Sequence, residues 1–277
     1  MGRIRDKYGP WAIVVGASDG CGAVFAERLA DNGIGVVLVA RREHVLAEVA
    51  SGITARTGAE TRTLAIDLTE PDAASWIIAD TSDLEIGMLV YCAGGDPNYQ
   101  PFLANPVTAA EALLQRNCLV MMRLCHHFAG QMVDRGRGGI VNFTSGAALA
   151  GGRNMVAYGA TKAFDMVFTE GLWAELQDTG VDVLGLVLGM TDTPALRQLE
   201  FERGRLASLD EVPPGAVTAA SVVDEAFANL GNGPTVATGD DVRMALDVLK
   251  SLSRNDAVRL IMQASADVMG TDARPGS

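Results

Sequence analysis

Basic side chains are scarce in this chain of 277 residues. Lys and Arg total 22 against 34 Asp and Glu, which gives a formal charge of −12 and a pI near 4.7. Proteins bind a nucleic-acid backbone by neutralising its phosphates with cations, so this balance argues against a nucleic-acid partner. The acidic excess is spread along the chain rather than gathered into a tail, which is typical of a solvated surface.

Cysteine is also sparse, and no CxxC pair occurs. The four cysteines form neither a disulfide framework nor the pattern of a zinc site, and we expect them to be reduced. They are Cys21, Cys92, Cys118 and Cys125. The adjacent His126 and His127 would point about 100° apart on a helix, which does not suit a shared metal ion. The sequence therefore predicts no metal site.

Long apolar runs are missing as well. The first apolar run, in "WAIVVGAS", spans only about five residues, too few for the hydrophobic region of a signal peptide. No run approaches the roughly 18 residues of a membrane span, so we predict a cytoplasmic protein with no membrane partner. No Pro/Gly/Ser-rich linker divides the chain, which predicts a single domain over residues 1–277, with a disordered end at 270–277.

Short apolar runs alternate with longer amphipathic stretches along most of the chain. The runs predicted as strands are "WAIVVG", "GVVLVA", "TRTLAID", "IGMLVYCAG", "GGIVNFTS", "VDVLGLVLG" and "PTVATGD". Helices are predicted at about 22–32, 42–57, 70–79, 108–130 and 156–178, with two short ones in 240–268. Because the runs are apolar at nearly every position, they indicate strands covered on both faces. The prediction is an α/β fold: a Rossmann-type, doubly wound parallel sheet flanked by helices.

A glycine loop, "GASDGCG", stands between the first predicted strand and the first predicted helix, with glycines at 16, 20 and 22. Glycines there let backbone N–H groups approach a phosphate, and the helix N-terminus adds partial positive charge. Glycines also serve ordinary tight turns. The position of this loop at the opening of a βαβ unit favours a dinucleotide site.

The end of the second predicted strand indicates which dinucleotide is preferred. An acid about 20 residues after the glycine loop would bind a ribose 2′-hydroxyl, whereas arginine accommodates a 2′-phosphate. This strand ends in Ala40, followed by Arg41 and Arg42. NADP(H) is therefore favoured over NAD(H), although arginines at a helix start could also simply face solvent.

Four polar residues could carry chemistry beside that loop. Tyr158 and Lys162 are four residues apart, so on a helix they share a face. A free tyrosine has a pKa of about 10, and a nearby cation stabilises the phenolate and lowers that value. Ser145 ends a predicted buried strand, at the sheet edge where such folds bind ligands. Asn117 is a polar residue amid apolar neighbours and needs partners if it is buried. Taken singly, each also fits an exposed helix or a turn.

Seven motifs together resemble the short-chain dehydrogenase/reductase family, in its single-domain branch. They occur in the family's order over roughly residues 11–195: "GASDGCG", "DLT" at 67–69, "CAG" at 92–94, Asn117, Ser145, "YGATK" at 158–162 and "LGMTDT" at 188–193.

The resemblance implies a role for each catalytic position. Tyr158 would protonate a carbonyl oxygen or, as phenolate, accept a proton from an alcohol, and Ser145 would orient that oxygen. Lys162 would favour the phenolate and hold the nicotinamide ribose. Asn117 would anchor a water that connects Lys162 to solvent.

Most of the remaining motif positions would hold the cofactor. The glycine loop and Arg41 would contact the adenosine phosphates, Asp67 the adenine, and Thr191 and Thr193 the carboxamide and diphosphate end. The full set of implied cofactor contacts is Gly16, Ser18, Asp19, Gly20, Cys21, Gly22, Arg41, Arg42, Asp67, Leu68, Ala93, Gly94, Tyr158, Lys162, Gly189, Thr191 and Thr193.

Loops beyond the strand ends, at about 94–106, 146–157 and 192–215, would form the substrate pocket, with 192–215 covering it. Their larger apolar residues are Tyr99, Phe102, Leu149, Met155, Leu196, Leu199 and Phe201. A bulky, largely apolar, polycyclic or aromatic ketone or secondary alcohol is the favoured substrate. The apolar helix that carries Tyr158 is one that the family pairs across a two-fold axis, so we expect a homodimer or homotetramer.

Two other functional classes remain open at this point. A catalytically silent NAD(P)-binding regulatory or sensor protein would keep the fold without turnover. A methyltransferase or other nucleotide-binding α/β enzyme would leave the tyrosine-lysine pair unexplained.

Overall fold

The structure is a computed structural model that describes residues 2–95 and 99–269. Its strands are β1 (Trp11–Val15), β2 (Gly35–Ala40), β3 (Thr61–Ala65), β4 (Ile86–Tyr91), β5 (Gly138–Ser145), β6 (Val181–Leu188), β7 (Thr191–Asp192), β8 (Val217–Thr218) and β9 (Thr235–Thr238). Its helices are α1 (Gly2–Tyr8), α2 (Gly20–Asp31), α3 (Glu43–Thr57), α4 (Ala73–Asp80), α5 (Val107–Leu114), α6 (Val120–Arg135), α7 (Val156–Glu175), α8 (Pro194–Glu202), α9 (Ala219–Asn229), α10 (Asp240–Lys250) and α11 (Arg254–Met269).

Seven strands form one parallel sheet in the order β3-β2-β1-β4-β5-β6-β9. The order runs outward in one direction from β1 to β3 and in the other from β4 to β9. Connections that leave neighbouring strands for opposite faces open a crevice at their carboxyl ends, here between β1 and β4. The predicted doubly wound fold is confirmed.

The sheet carries a hydrophobic core on each face, as the continuous apolar runs predict. In β1, Ala12 and Val14 pack into one core and Ile13 and Val15 into the other, and all four are fully buried. A central strand with no solvent-facing side can be apolar at every position. This double coverage makes the sheet a fixed base for the loops at its edge.

Two helical features differ from the sequence prediction. The helix predicted at 108–130 consists of α5, a π-helical turn at Gln115–Leu119, and α6. α8 and α9 lie in a region where no element was predicted. The two short helices predicted in 240–268 are confirmed as α10 and α11. The disorder predicted for 270–277 lies outside the described residues.

The N-terminal helix α1 was not predicted either, because "GRIRDKY" has no apolar periodicity. Its last residue, Tyr8, is buried, and a Cβ added at Gly139 on β5 would lie 2.8 Å from the Tyr8 ring. The Tyr8 hydroxyl donates to Asp182 Oδ2 on β6 at 2.5 Å. Thus α1 packs on the amino end of the sheet, opposite the crevice. Within the two described ranges, no helix is long and apolar enough to cross a bilayer.

Candidate active site

A cavity of about 530 Å³ lies at the carboxyl edge of the sheet. The glycine loop lines one side, and the ends of β5 and β6 with the start of α7 line the other. The predicted site residues found in its wall are Gly16, Asp19, Gly20, Cys21, Gly22, Gly94, Ser145, Tyr158, Lys162, Gly189, Thr191 and Thr193. The predicted residues outside its wall are Ser18, Arg41, Arg42, Asp67, Leu68, Ala93 and Asn117. Motifs spread over 178 positions, from Gly16 to Thr193, therefore converge on one cavity.

The glycine loop is shaped for close backbone approach. Gly16 has φ +92°, and a Cβ there would lie 2.8 Å from the backbone nitrogen of Ala93. A Cβ on Gly22 would lie 2.1 Å from the carbonyl oxygen of Gly16. The N-cap residue of α2, Asp19, makes no side-chain capping hydrogen bond. Uncapped N–H groups at a helix start are suited to an anion, so the loop fits a cofactor diphosphate.

The two predicted phosphate-binding arginines lie beyond the end of β2, beside this loop. Arg42 donates to Ser18 Oγ at 2.9 Å and pairs with Asp19. Arg41 lies 3.9 Å from Asp67 Oδ2. Both arginines are more than half exposed, so their charges remain accessible to a ligand. The expected cations are present, each beside a carboxylate that a bound phosphate would have to compete with.

Asp67 is fixed in place by its own turn. Its Oδ1 accepts from the backbone N–H and the hydroxyl of Thr69, at 2.9 and 2.8 Å. Partial burial opposes ionisation, but the Thr69 hydrogen bonds and the charge of Arg41 outweigh it and lower the pKa of Asp67. The carboxylate is therefore a charged acceptor at the edge of the site.

Ser145 is the last residue of β5 and caps the short 3₁₀ turn that follows it. Its Oγ accepts the backbone N–H of Ala147 at 3.2 Å. That bond fixes the side-chain rotamer and leaves the hydroxyl proton available for donation into the cavity. Ser145 thus places a hydroxyl donor in the cavity wall, and its contact with a substrate oxygen stays a prediction.

Tyr158 and Lys162 lie one turn apart on α7, and both side chains are buried. Lys162 Nζ donates to the carbonyl oxygen of Phe143 at 2.8 Å and to Asp165 Oδ2 at 3.0 Å. The hydroxyl of Thr144 donates to the carbonyl oxygen of Lys162 at 2.7 Å, which ties α7 to β5. The phenol of Tyr158 and the ammonium of Lys162 therefore lie in the same cavity wall, and hydrogen bonds to β5 hold Lys162 there.

Asn117 lies in the π-helical turn and is fully buried. Its Nδ2 donates to the carbonyl oxygen of Gly94 at 3.2 Å and to Thr161 Oγ1 at 2.8 Å. Its Oδ1 accepts from Arg116 Nε at 3.2 Å. Because these bonds occupy the side chain, Asn117 fixes the positions of Gly94 and α7. The water-anchoring role implied for it stays a prediction.

Sequence reasoning identified the polar site better than the apolar wall. Of the seven apolar residues expected in the pocket, Tyr99, Met155 and Leu196 line it, whereas Phe102, Leu149, Leu199 and Phe201 do not. Ile261 on α11 lines the cavity and was missed, because no local pattern connects that helix to the site. Asp165 was also missed. Its signal was an acid three residues after a lysine on a predicted helix.

Among the described residues, no group of three or more His, Cys, Asp or Glu side chains could hold a metal ion. The site offers hydroxyl, phenol and ammonium groups instead. They are suited to proton transfer and to orienting a bound cofactor.

Comparisons with known proteins agree with this geometry. A family model described as short chain dehydrogenase matches residues 10–203. A 7beta-hydroxysteroid dehydrogenase from Collinsella aerofaciens is 33% identical over 242 residues, which cover 85% of this chain and 88% of the relative.

Two solved structures are similar over most of the chain. One is described for structural and biochemical insights into 7beta-hydroxysteroid dehydrogenase stereoselectivity. It has a TM-score of 0.84 and 31% identity, and the match covers 93% of this chain and 98% of the solved chain. The other is a short-chain dehydrogenase from Sphingobium yanoikuyae in complex with NADPH. It has a TM-score of 0.70 and 29% identity, and the match covers 88% of this chain and 96% of the solved chain. Since the family model spans well over half of the sequence and the fold agrees, the chain belongs to the short-chain dehydrogenase/reductase family and is an NAD(P)-dependent oxidoreductase.

Proposed function

We propose that this enzyme interconverts a ketone and a secondary alcohol on a bulky, largely apolar, steroid-like substrate, with NADP(H) as its cofactor. The observation that carries the proposal is that Ser145, Tyr158 and Lys162 line the same cavity as the glycine loop. A reacting carbon held there would lie between a hydride carrier and a proton donor.

The cofactor, when bound, supplies or accepts the hydride. Tyr158 exchanges a proton with the substrate oxygen, and Ser145 holds that oxygen through its hydroxyl. Lys162 contributes a positive charge that favours the phenolate and donors that suit ribose hydroxyls. The glycine loop, Thr191 and Thr193 would hold the rest of the cofactor.

The substrate class is supported by the wall and by the relatives. Tyr99, Met155, Leu196 and Ile261 give the cavity a mainly apolar lining. Apolar walls with a few convergent polar groups bind rigid hydrophobic ligands and orient them through the polar groups. Relatives named 7beta-hydroxysteroid dehydrogenase point to a ring hydroxyl or ketone of a steroid.

The preference for NADP(H) is supported by Arg41 and Arg42 beyond the end of β2. The arginine fork suits a phosphate, whereas a ribose hydroxyl would call for an acid at that strand end. A similar structure holds NADPH.

A cofactor oxidation assay tests the proposal. Purified enzyme is given NADPH, with NADH in parallel, and a panel of ketones from small aliphatic ones to steroids oxidised at single ring positions. We expect turnover of polycyclic ketones with NADPH. Tight NADPH binding without turnover of any ketone on the panel, or of the matching alcohols with NADP⁺, would contradict the proposed substrate class.

We further propose a homodimer or homotetramer assembled through α7. Phe164 and Val167 are 38% and 62% exposed on that helix, and Phe164 stacks on Phe168. Exposed apolar side chains grouped on one helix suit a two-fold contact. Sedimentation velocity of the wild type and of Val167→Glu tests this, since a monomeric wild type would contradict it. The cytoplasmic location stays a prediction.

A further inference from the structure

A buried acid lies directly behind the proposed catalytic lysine. Asp165 follows Lys162 by three residues on α7, and its Oδ2 accepts from Lys162 Nζ at 3.0 Å. Each side chain is only 4% exposed. The ammonium also donates to the carbonyl oxygen of Phe143, near the carboxyl end of β5, at 2.8 Å. The charged end of Lys162 is therefore held between a strand carbonyl and a carboxylate.

Asp165 is a costly residue at this position. Its second oxygen, Oδ1, is buried without a hydrogen-bond partner in the part of the chain that the structure describes. Burial raises the pKa of the Asp165 carboxyl, and the charge and hydrogen bond of Lys162 only partly offset it. A buried ion pair is commonly no more stabilising than apolar residues of similar volume. Packing alone therefore gives no reason for an acid here.

Burial disfavours the charged form of four titratable side chains packed around the pair. Burial is the main cause that raises the pKa of each of these side chains, which lie on β4, directly after it, in the π-helical turn and on α6: Tyr91, Cys92, Cys118 and Cys125. Tyr158 precedes Lys162 by one turn of α7, and the positive charge of Arg116 acts on Tyr91. The negative charge that balances Lys162 thus comes from Asp165.

We propose that Asp165 is a positioning residue that keeps Lys162 a cation inside the site and fixes its ammonium beside the Phe143 carbonyl, at the edge of the cavity. This inference rests on the proposed function only for the consequence in catalysis. The charge of Lys162 itself is a property of the folded chain.

The variant Asp165→Asn separates charge from shape. The amide keeps the size of the side chain and an oxygen that can accept from Lys162 Nζ, but it removes the counter-charge. A buried ammonium without a counter-charge loses its proton more readily, because burial penalises the charged form. A neutral lysine no longer favours the phenolate of Tyr158.

The lysine content of the chain makes the charge directly measurable. The sequence has three lysines, Lys7, Lys162 and Lys250. Protein labelled with ¹³C-lysine therefore gives three Cε signals, which Lys7→Arg and Lys250→Arg assign. In the wild type, the Lys162 signal should keep the shift of a charged ammonium across the pH range in which the enzyme works. In Asp165→Asn it should move toward the neutral-amine shift within that range.

Activity provides a second readout. For Asp165→Asn, we expect the upper pH limit of ketone reduction to move to lower pH, with turnover recovering toward that of the wild type on the acidic side. Asp182→Asn is the matched control, because Asp182 pairs with Lys7 and Tyr8 at the opposite end of the sheet. It should leave the pH profile unchanged. A uniform loss of activity at every pH would indicate a merely structural role for Asp165 and would overturn the proposal.

The two hypotheses fail separately. If no ketone is reduced but the Lys162 signal behaves as expected, the proposed function is wrong and the role of Asp165 stands. If Asp165→Asn does not fold, the wild-type titration decides alone. A Lys162 signal that leaves the charged shift within the working range would overturn the inference.

Discussion

The hydroxyl of Tyr158 can be removed without losing the contact that its ring makes with a neighbouring side chain. The ring packs edge-on against Tyr99, with centroids 5.6 Å apart, so Tyr158→Phe keeps this contact and removes the proton donor. We expect turnover to fall by about 10²–10⁴-fold, the usual contribution of general acid–base catalysis. NADPH affinity, measured by fluorescence titration, should change little. Tyr8→Phe, at the far end of the sheet, is the control. Retained activity in Tyr158→Phe would exclude Tyr158 as the acid.

Arg41 allows a test of cofactor preference at one side chain. Its side chain is exposed beyond the end of β2, and the contact proposed for it is with a 2′-phosphate. Arg41→Ala should weaken NADPH binding by about tenfold or more, the value of one charge-assisted hydrogen bond, and leave NADH nearly unaffected. Dissociation constants for both cofactors provide the measurement. Arg62→Ala removes a half-buried arginine paired with Asp83, away from the cavity, and should affect the binding of neither cofactor. An equal loss for both cofactors in Arg41→Ala would exclude the phosphate contact.

For single residues, the sequence indicates the candidate catalytic side chains better than the side chains that hold them in place. Tyr158 and Lys162 were singled out by their four-residue spacing on a helix, Ser145 by its place at a strand end, and the catalytic roles of all three by the family resemblance. Those roles stay predictions. Asp165 has the same kind of spacing to Lys162, but its meaning depends on burial of both side chains, which no local pattern reports. The position of Asn117 likewise depends on Gly94 and Thr161, which are distant in sequence.

At the scale of elements, the close contact inside the glycine loop should be intolerant of a methyl group. A Cβ on Gly22 would lie 2.1 Å from the carbonyl oxygen of Gly16, in a backbone turn that has no room to move. We expect Gly22→Ala to abolish cofactor binding and to lower the melting temperature. Gly52→Ala is the matched control, because nothing lies within 4 Å of its added Cβ in the middle of α3.

The control variant Gly52→Ala is itself expected to change the stability of the protein, in the opposite direction. Alanine in an exposed helix interior is more stable than glycine by about 0.5–1 kcal/mol. Gly52→Ala should therefore raise the melting temperature slightly and bind NADPH normally. Isothermal titration and thermal unfolding of both variants measure the contrast, and normal cofactor binding in Gly22→Ala would contradict the geometry of the loop.

The elements themselves followed from periodicity wherever a run was fully buried or clearly amphipathic. The central strands β1, β2 and β4 are examples, since a run covered on both faces can be apolar throughout. The π-helical turn at Gln115–Leu119 was not predictable, because one extra residue in a turn leaves the surrounding helical pattern intact. α1 was invisible for a different reason: a single buried tyrosine anchors it, and a single residue has no period.

At the scale of the whole molecule, the Tyr8–Asp182 hydrogen bond joins the first helix to a strand 174 positions away. Burial raises the pKa of the Tyr8 phenol above its usual value, and the hydrogen bond and charge of Asp182 raise it further. Tyr8→Phe should lower the free energy of unfolding at neutral pH by about 2 kcal/mol, as for a hydrogen bond to a charged group.

The same bond gives the pH dependence a definite sign. Above about pH 10 the unfolded chain loses the tyrosine proton while the folded protein retains it, so wild-type stability falls as pH rises. The difference between wild type and Tyr8→Phe should therefore shrink above that pH. Urea unfolding at neutral pH and at pH values on either side of 10 checks this, and a difference that stays constant would contradict the assignment.

The polar and the apolar parts of the cavity wall come from different segments of the chain. The residues proposed to handle protons stand on β5 and α7, held by contacts with Phe143, Thr144 and Asp165, whereas much of the apolar wall comes from α8, α11 and the loop at Tyr99. Loops and surface helices accept sequence change far more readily than a strand covered on both faces. New substrate preferences could therefore evolve, or be engineered by diversifying those outer segments, while the chemistry underneath is inherited unchanged.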